Sequence, residues 1–273
     1  MSDKLLLGQA TAYPQHYDPA LLFPVPRLPK WQELGLNSAL ELPFVGEDLW
    51  QAFELSWLNT KGKPVVALAE FRIPLAAPNI IESKSFKLYL NSLNQQCFAS
   101  WSEVEQLLVQ DLSKAAGAPV GVMLLTPGQA DGYLLPKRLL GHCIDDLDIS
   151  CSQYQPAPEL LRLGKRQVEQ RLFSHLLKSN CPVTGQPDWA TLIIDYQGQE
   201  LDQAALLQYV VSFRQHTDFH EQCVERIFVD LWRLGGMQQL TVSARYLRRG
   251  GLDINPWRSS HQARAQNLRL IRQ

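Results

Sequence analysis

The chain has 273 residues, 45% hydrophobic and 19% charged, with a formal net charge of −1. That is enough apolar material for the core of one large domain or two ordinary ones. A net charge of −1 gives no whole-chain basic excess for nucleic acid or a membrane surface, so any basic recognition must be local, and no apolar run nears the ~20 residues a bilayer span needs. The start, MSDKLLLGQATAYPQHY, has a short apolar patch but no signal-peptide core, so the expected location is cytoplasmic. The five cysteines are odd in number and scattered, which suits reduced thiols better than a disulfide framework. None forms a C-x-x-C pair, and His142-Cys143 with Cys151 lacks zinc-site spacing, so no metal is expected.

In chain order, residues 1–47 are proline-rich and read as an extended arm. Asp48–Asn59 and Val65–Ile73, joined by the turn Lys61-Gly62-Lys63-Pro64, predict a β-hairpin. Glu82–Asn94 follows, with Phe86, Leu90 and Leu93 at helical spacing behind Glu82-Ser83-Lys84. Taken alone, this is an ordinary solvated helix start, with an acid at the N-terminus and lysines toward water. A second helix is expected from Ser102, capped by Ser102 and Glu105, to a stop at Gly117-Ala118-Pro119. Val120–Leu125 predicts a strand, and another is expected within Cys143–Cys151. The second half predicts strands at Val168–Lys178 and Trp189–Tyr196 around the turn Ser179–Pro187. Helices at Leu201–Phe213 and Val224–Leu234 and a strand at Leu240–Tyr246 follow.

The two halves share this order. With an offset of 120, residues 82–125 align without a gap on 202–245, with Tyr89/Tyr209, Ser92/Ser212, Val104/Val224, Glu105/Glu225 and Val122/Val242 among the identities. Phe86/Leu206, Leu93/Phe213 and Leu107/Ile227 keep the same helical face apolar. The fold class is therefore α+β, with two tandem modules over 48–152 and 160–273 and a linker near Gln155-Pro156-Ala157-Pro158.

A repeat is an internal control, because a feature of one copy alone is not required by the fold. Only the second hairpin turn carries a thiol, Cys181, with Asp188 seven residues on. The second copy has His220-Glu221 where the first has Ser100-Trp101, and only the first has Ser83-Lys84. These differences point to one composite site at a seam between copies. A cysteine attacks as its thiolate, so Cys181 needs a neighbouring base, and Asp188 or His220 could take its proton and later return it. Cys181 sits in a polar, Pro- and Gly-rich turn, poor core material, whereas Cys97, Cys143, Cys151 and Cys223 fit small buried hydrophobes. Arg248-Arg249-Gly250-Gly251 pairs two fixed cations with permissive backbone, a combination suited to phosphate or to an ordinary solvated strand end. No G-x-G-x-x-G follows a strand, and no P-loop occurs.

ESKSFKLY at 82–89, the stretch 179–188, Phe219-His220-Glu221 and the ending RRGGLDINPWRS together resemble the QueF family. These are NADPH-dependent 7-cyano-7-deazaguanine reductases, nitrile reductases of queuosine biosynthesis in tRNA modification. The chain is similar to the long form, with the ESKSFK signature in the first module and the cysteine in the second. The resemblance implies tunnelling-fold modules of β-β-α-α-β-β order, with an antiparallel sheet and helices on one face, and a homodimer. Cys181 would form a covalent thioimide with the nitrile, with Asp188 donating protons and His220 assisting. Glu82 and Glu221, with Ile81, Ser83 and His220, would recognise the 7-deazapurine. Ser83, Lys84, Arg249 and Gly250 would hold NADPH. The partners implied are this small molecule and a second copy, with no metal, nucleic acid or membrane. Three other readings stay open: a Cys-His-Asp amidohydrolase, a non-catalytic purine or pterin binder, and a zinc-dependent cyclohydrolase of the same fold.

Overall fold

A computed structural model describes residue 14 and residues 16–262 and 264–273. The chain forms β1 (Pro24–Pro26), α1 (Leu28–Glu33), β2 (Val45–Leu58), β3 (Pro64–Pro74), β4 (Asn79–Ile81), α2 (Ser83–Ser92), α3 (Trp101–Ala116), β5 (Gly121–Leu125) and α4 (Pro127–Tyr133). It continues with β6 (His142–Cys143), β7 (Leu163–Asn180), β8 (Pro187–Leu201), α5 (Gln203–Ser212), α6 (His220–Trp232), β9 (Met237–Tyr246) and β10 (Leu252–Ser259). The architecture is mixed α+β with mainly antiparallel pairing.

Two compact units result. The first holds the chain up to residue 33, residues 48–135 and 248–253; the second holds 34–47, 136–247 and 254–273. Tandem order alone would divide the chain at 48, 152 and 160. The short segments 34–47 and 248–253 carry no periodicity that tells which core they join. The described part of the arm is not extended throughout, since Leu28–Glu33 is helical and buries Trp31. Residues 1–13 and 15 of the arm lie outside the described residues.

In the first unit the strand order is β5-β3-β2, with β3 antiparallel to β5 from Leu68↔Leu125 to Arg72↔Gly121. Phe86 of α2 seats its ring 5.0 Å from both Trp50 and Phe71. These rings are fully buried, as are Leu93, Val104, Leu108 and Leu112. Each buried aromatic or leucine of this kind contributes roughly 1.5–3 kcal/mol, which is why the helical stripe fixes the helix on the sheet. In the second unit the order is β10-β9-β8-β7-β6. Leu206 and Val210 of α5, Phe213 just after it, and Val224, Ile227 and Phe228 of α6 supply its core.

The repeat is visible in atomic detail. Tyr89 Oη donates to Asp111 Oδ2 at 2.6 Å, and Tyr209 Oη donates to Asp230 Oδ2 at 2.6 Å. Ser92 Oγ donates to Tyr89 O, and Ser212 Oγ donates to Tyr209 O, each at 2.6 Å. The shared Tyr thus ties each first helix to its second, and the shared Ser bonds back within its own helix in the same way.

Three local expectations change. α3 starts one residue earlier than expected, and its cap is Ser100, which accepts from Glu103 N at 3.2 Å while Glu103 Oε2 accepts from Ala99 N at 2.7 Å. The cause is Trp101, which joins the helix to set its ring edge-on to Trp57 at 4.9 Å. The strand expected within Cys143–Cys151 is only His142–Cys143, and it pairs in parallel with β7. Beyond Cys143, the Asp145 carboxylate accepts from Ser174 Oγ and from His175 N, so a side chain replaces the ladder there. α6 begins at His220 rather than Val224, which places His220 and Glu221 in its first turn.

Candidate active site

The β7–β8 hairpin builds the centre of the second unit. Its register pairs Ser179 with Asp188 and Asn180 with Pro187. Cys181 continues that register, its N–H donating to Gln186 O at 2.9 Å, and Gly185 N closes the turn on Cys181 O at 3.0 Å. Side chains alternate across a strand, so Ser179, Cys181 and Asp188 share one face. That face is the inner one: Cys181 is 6% exposed and Asp188 4% exposed. A proline- and glycine-rich turn suggested an open thiol, but the strand pairing turns it inward.

A second segment brings the histidine. Residues 216–218 run beside the end of β7, with Asn180 N donating to His216 O at 2.8 Å and Asp218 N donating to Asn180 O at 3.2 Å. α6 starts two residues later, so the same bonds that seat Asn180 next to Cys181 also deliver His220. Its Nε2 lies 3.4 Å from Asp188 Oδ2, and its ring stacks on Tyr246 with centroids 3.7 Å apart and planes 4° apart. Among the described residues, His220 Nδ1 is buried with no hydrogen-bond partner. Glu221 is buried beside it in the first turn of α6. The arrangement therefore gathers a thiol, a carboxylate and an imidazole on one buried layer, with the imidazole held flat and one ring nitrogen unengaged.

One residue of this layer escaped the sequence reading. Tyr246, the shelf under His220, is fully buried, and Ala190 of β8 is its partner in register. Its counterpart in the first copy is Thr126, so the repeat comparison carried the signal. Cys223 is also fully buried; burial, with Asp218 nearby, pushes its thiol far up, which suits an inert core cysteine.

The first unit positions the other set. β1 pairs with β4, Pro24 facing Ile81, and Glu82 N donates to Phe23 O at 2.9 Å. Phe23 N in turn donates to Ser85 Oγ at 3.0 Å, so the arm fixes the start of α2. Glu82 is the N-cap: Oε1 accepts from Lys84 N at 2.8 Å and Oε2 from Ser85 N at 2.7 Å. It is 1% exposed, and burial outweighs these bonds to push its pKa above the ordinary value. This is not a solvated helix start. Lys87, one turn on, is paired with Glu54, and burial lowers its pKa.

Arg249 and Gly250 belong to this same unit. Arg249 N donates to Leu252 O at 2.9 Å and Leu252 N to Arg249 O at 3.1 Å, closing a tight turn. Gly250 sits in it at φ +58°, a left-handed conformation that glycine adopts without strain. A Cβ at Gly250 would lie 3.8 Å from the Lys87 stem, so the turn lies alongside α2. Phe53 N donates to Gly251 O at 3.0 Å, and the Arg248 guanidinium lies 4.4 Å over the Phe53 ring. Ser83, Lys84, Arg249 and Gly250 thus fall on two neighbouring pieces of one unit. Two cations beside a flat glycine backbone fit the phosphates of a dinucleotide.

Two family models match stretches of the chain. A family model described as nitrile reductase, 7-cyano-7-deazaguanine-reductase N-term matches residues 13–124. A second, described as QueF-like protein, matches residues 187–265. The chain belongs to the QueF nitrile reductase family. Ile81, Glu82, Ser83 and Lys84 lie in the first matched stretch of this QueF protein, and Asp188, His220, Glu221, Arg249 and Gly250 lie in the second. Cys181 falls outside both, so its assignment rests on the hairpin geometry and the local sequence. The family name implies an oxidoreductase, and no helix among the described residues is long and apolar enough to cross a membrane.

Proposed function

We propose that the protein reduces the nitrile of 7-cyano-7-deazaguanine to the primary amine of 7-aminomethyl-7-deazaguanine, consuming two NADPH and two protons. The observation that carries this reading is the buried Cys181–Asp188–His220 layer, in a chain of the nitrile reductase family. NADPH, when bound, supplies the two hydrides and nothing else. Cys181 loses its proton to Asp188 or His220, and its sulfur adds to the nitrile carbon. The nitrile nitrogen takes a proton, giving a thioimide on the enzyme. This addition turns an inert triple bond into a polarised C=N held in one place. After the carbon is reduced, the C–S bond breaks and the thiolate leaves, giving an imine. The second reduction then needs one more proton at nitrogen, which Asp188 donates while His220 shares the charge.

Glu82 and Glu221 are acceptors for the N–H edge of the deazapurine, flanked by Ile81, Ser83 and His220. Each Glu82 oxygen already accepts from a helix N–H, but a carboxylate oxygen has a second acceptor direction. Ser83, Lys84, Arg249 and Gly250 hold NADPH by its phosphates. The modules are read as tunnelling-fold units that assemble as a homodimer in the cytoplasm, where reduced thiols persist.

The test follows NADPH absorbance with 7-cyano-7-deazaguanine present. Wild type should consume two NADPH per nitrile, and Cys181→Ala none. Without NADPH, mass spectrometry should find the substrate's mass added to Cys181. Turnover of an amide or ester without NADPH would instead support a Cys-His-Asp hydrolase, and wild-type behaviour in Cys181→Ala would support a binder.

A further inference from the structure

A second cluster of reactive side chains lies elsewhere in the second unit. Cys143 Sγ, a carboxylate oxygen of Asp145 and a ring nitrogen of His175 all lie within 4.8 Å of one another. The fold assembles them at the β6–β7 edge. Cys143 pairs with Phe173 of β7, Ile144 N donates to Phe173 O at 3.1 Å, and Asp145 N–H then turns toward the Cys143 sulfur. Asp145 reaches across to Ser174 Oγ at 2.6 Å and His175 N at 2.9 Å, which sets its carboxylate beside the imidazole. The Thr191 hydroxyl lies 2.9 Å from His175 Nδ1 and fixes the ring's rotation. None of the three residues belongs to the layer of Cys181, Asp188 and His220. Sequence spacing concealed the group, because His175 comes 32 residues after Cys143 and on a different strand.

We infer that Cys143, Asp145 and His175 bind a borderline-soft divalent cation of the zinc type, with the fourth position left to water. The donor set is sulfur, oxygen and nitrogen, which zinc accepts and which hard cations such as magnesium do not. A tetrahedral ion with bonds of roughly 2.0–2.3 Å holds its ligand atoms about 3–4 Å apart, so separations of up to 4.8 Å need to close by about 1–2 Å at most. Charge closes as well. Binding releases the Cys143 proton to solvent, and one thiolate and one carboxylate then balance the 2+ ion. Burial raises the Cys143 pKa in the metal-free protein, and the Asp145 N–H facing the sulfur favours the thiolate form. The hydroxyl at His175 and the bonds to the Asp145 carboxylate are the outer partners that orient metal ligands. All three residues are partly exposed, so the ion has an entry path. Its effect would be to clamp the two-residue strand β6 onto β7. It takes no part in nitrile reduction.

The test uses the full chain carrying Cys181→Ala, which removes the thiol of the proposed active centre; the Cys143→Ser variant distinguishes Cys143 from Cys97, Cys151 and Cys223. The protein is stripped with a chelator, and zinc is returned and counted per chain by elemental analysis. Cobalt in place of zinc reports on sulfur through its thiolate charge-transfer band. One zinc per chain is expected, with the cobalt band present. Cys143→Ser should abolish the band, and Cys143→Ser and His175→Ala should each weaken zinc binding at least tenfold. Zinc should raise the thermal midpoint of the parent and leave that of His175→Ala unmoved, which separates loss of ligand from loss of fold. Less than stoichiometric zinc in the parent overturns the inference. So does wild-type affinity in either variant, or a cobalt band that survives Cys143→Ser.

Discussion

Asp188→Asn separates chemistry from folding at the proposed centre. The substitution keeps side-chain volume at a position only 4% exposed, so it opens no cavity. One structural cost is the contact with His220 Nε2 at 3.4 Å, whose loss amounts to about 1 kcal/mol. Its chemical cost is larger. An amide donates no proton on the reaction's timescale, and removing a positioned general acid slows a step by roughly 10²–10⁴-fold, or about 3–5 kcal/mol of barrier. Steady-state NADPH consumption should therefore fall by at least a hundredfold while the urea midpoint moves by no more than about 1 kcal/mol would move it. The thiol is still present, so the Cys181 adduct should form without NADPH and persist when NADPH is added. A kcat within about threefold of wild type would refute Asp188 as the proton donor. Equal losses of stability and activity would refute the chemical role and leave a structural one.

Arg249→Ala removes one charged hydrogen bond to phosphate, roughly 1.5–3 kcal/mol, so KM for NADPH should rise about 10–100-fold with kcat little changed; an unchanged KM excludes Arg249 from the cofactor site. Glu82 has its folded pKa raised by burial above the ordinary 4.5, so the folded state binds its proton more tightly than the unfolded state does. That contribution is present below about 4.5 and is lost as pH rises through the folded pKa, and Glu82→Gln should flatten this part of the profile of urea midpoint against pH. Arg258 is fully buried and bonds Glu225 Oε1 through Nη2 at 2.7 Å and Nε at 3.2 Å. Arg258→Met or Glu225→Gln alone should each cost about 3–5 kcal/mol by stranding a buried charge, and the double variant should cost less than the sum; additive urea data would show that the two are not coupled.

The helices and most strands were legible because their buried faces repeat every 3.6 or 2 residues. Phe86, Leu90 and Leu93, or Leu177 and Ser179 against Ala190 and Asp188, show that regularity directly. β10 was not. Its eight residues are all buried, yet they include Asp253, Asn255, Pro256 and Arg258, which read as surface. They are buried because partners come from distant parts of the chain: Glu225 for Arg258, Tyr246 N for Asn255 Oδ1, Thr241 Oγ1 for Ser259 Oγ. No local pattern encodes such partners. The same limit hid Tyr246 and the Cys143–Asp145–His175 cluster. Cys181, Asp188 and His220 were legible because their residue types are absent from the other copy, although the inward turn of Cys181 required the strand register.

The repeat also shows why residue type is a weaker signal than environment. Glu82 and Asp202 occupy equivalent positions 120 residues apart, and both cap a ten-residue helix, so an acid there belongs to the fold. Asp202 does this in water, accepting from Ala205 N at 3.1 Å, and remains exposed. Glu82 does the same while 1% exposed. A cap contributes about 1 kcal/mol whether or not it is buried, and burying a carboxylate costs more than that unless further donors reach it. The raised pKa of Glu82 records the shortfall. The fold does not need this burial, since the second copy manages without it. What would offset it is a ligand bringing N–H groups, as the edge of a 7-deazaguanine does. The functional claim for Glu82 therefore rests on its unshared burial rather than on its charge.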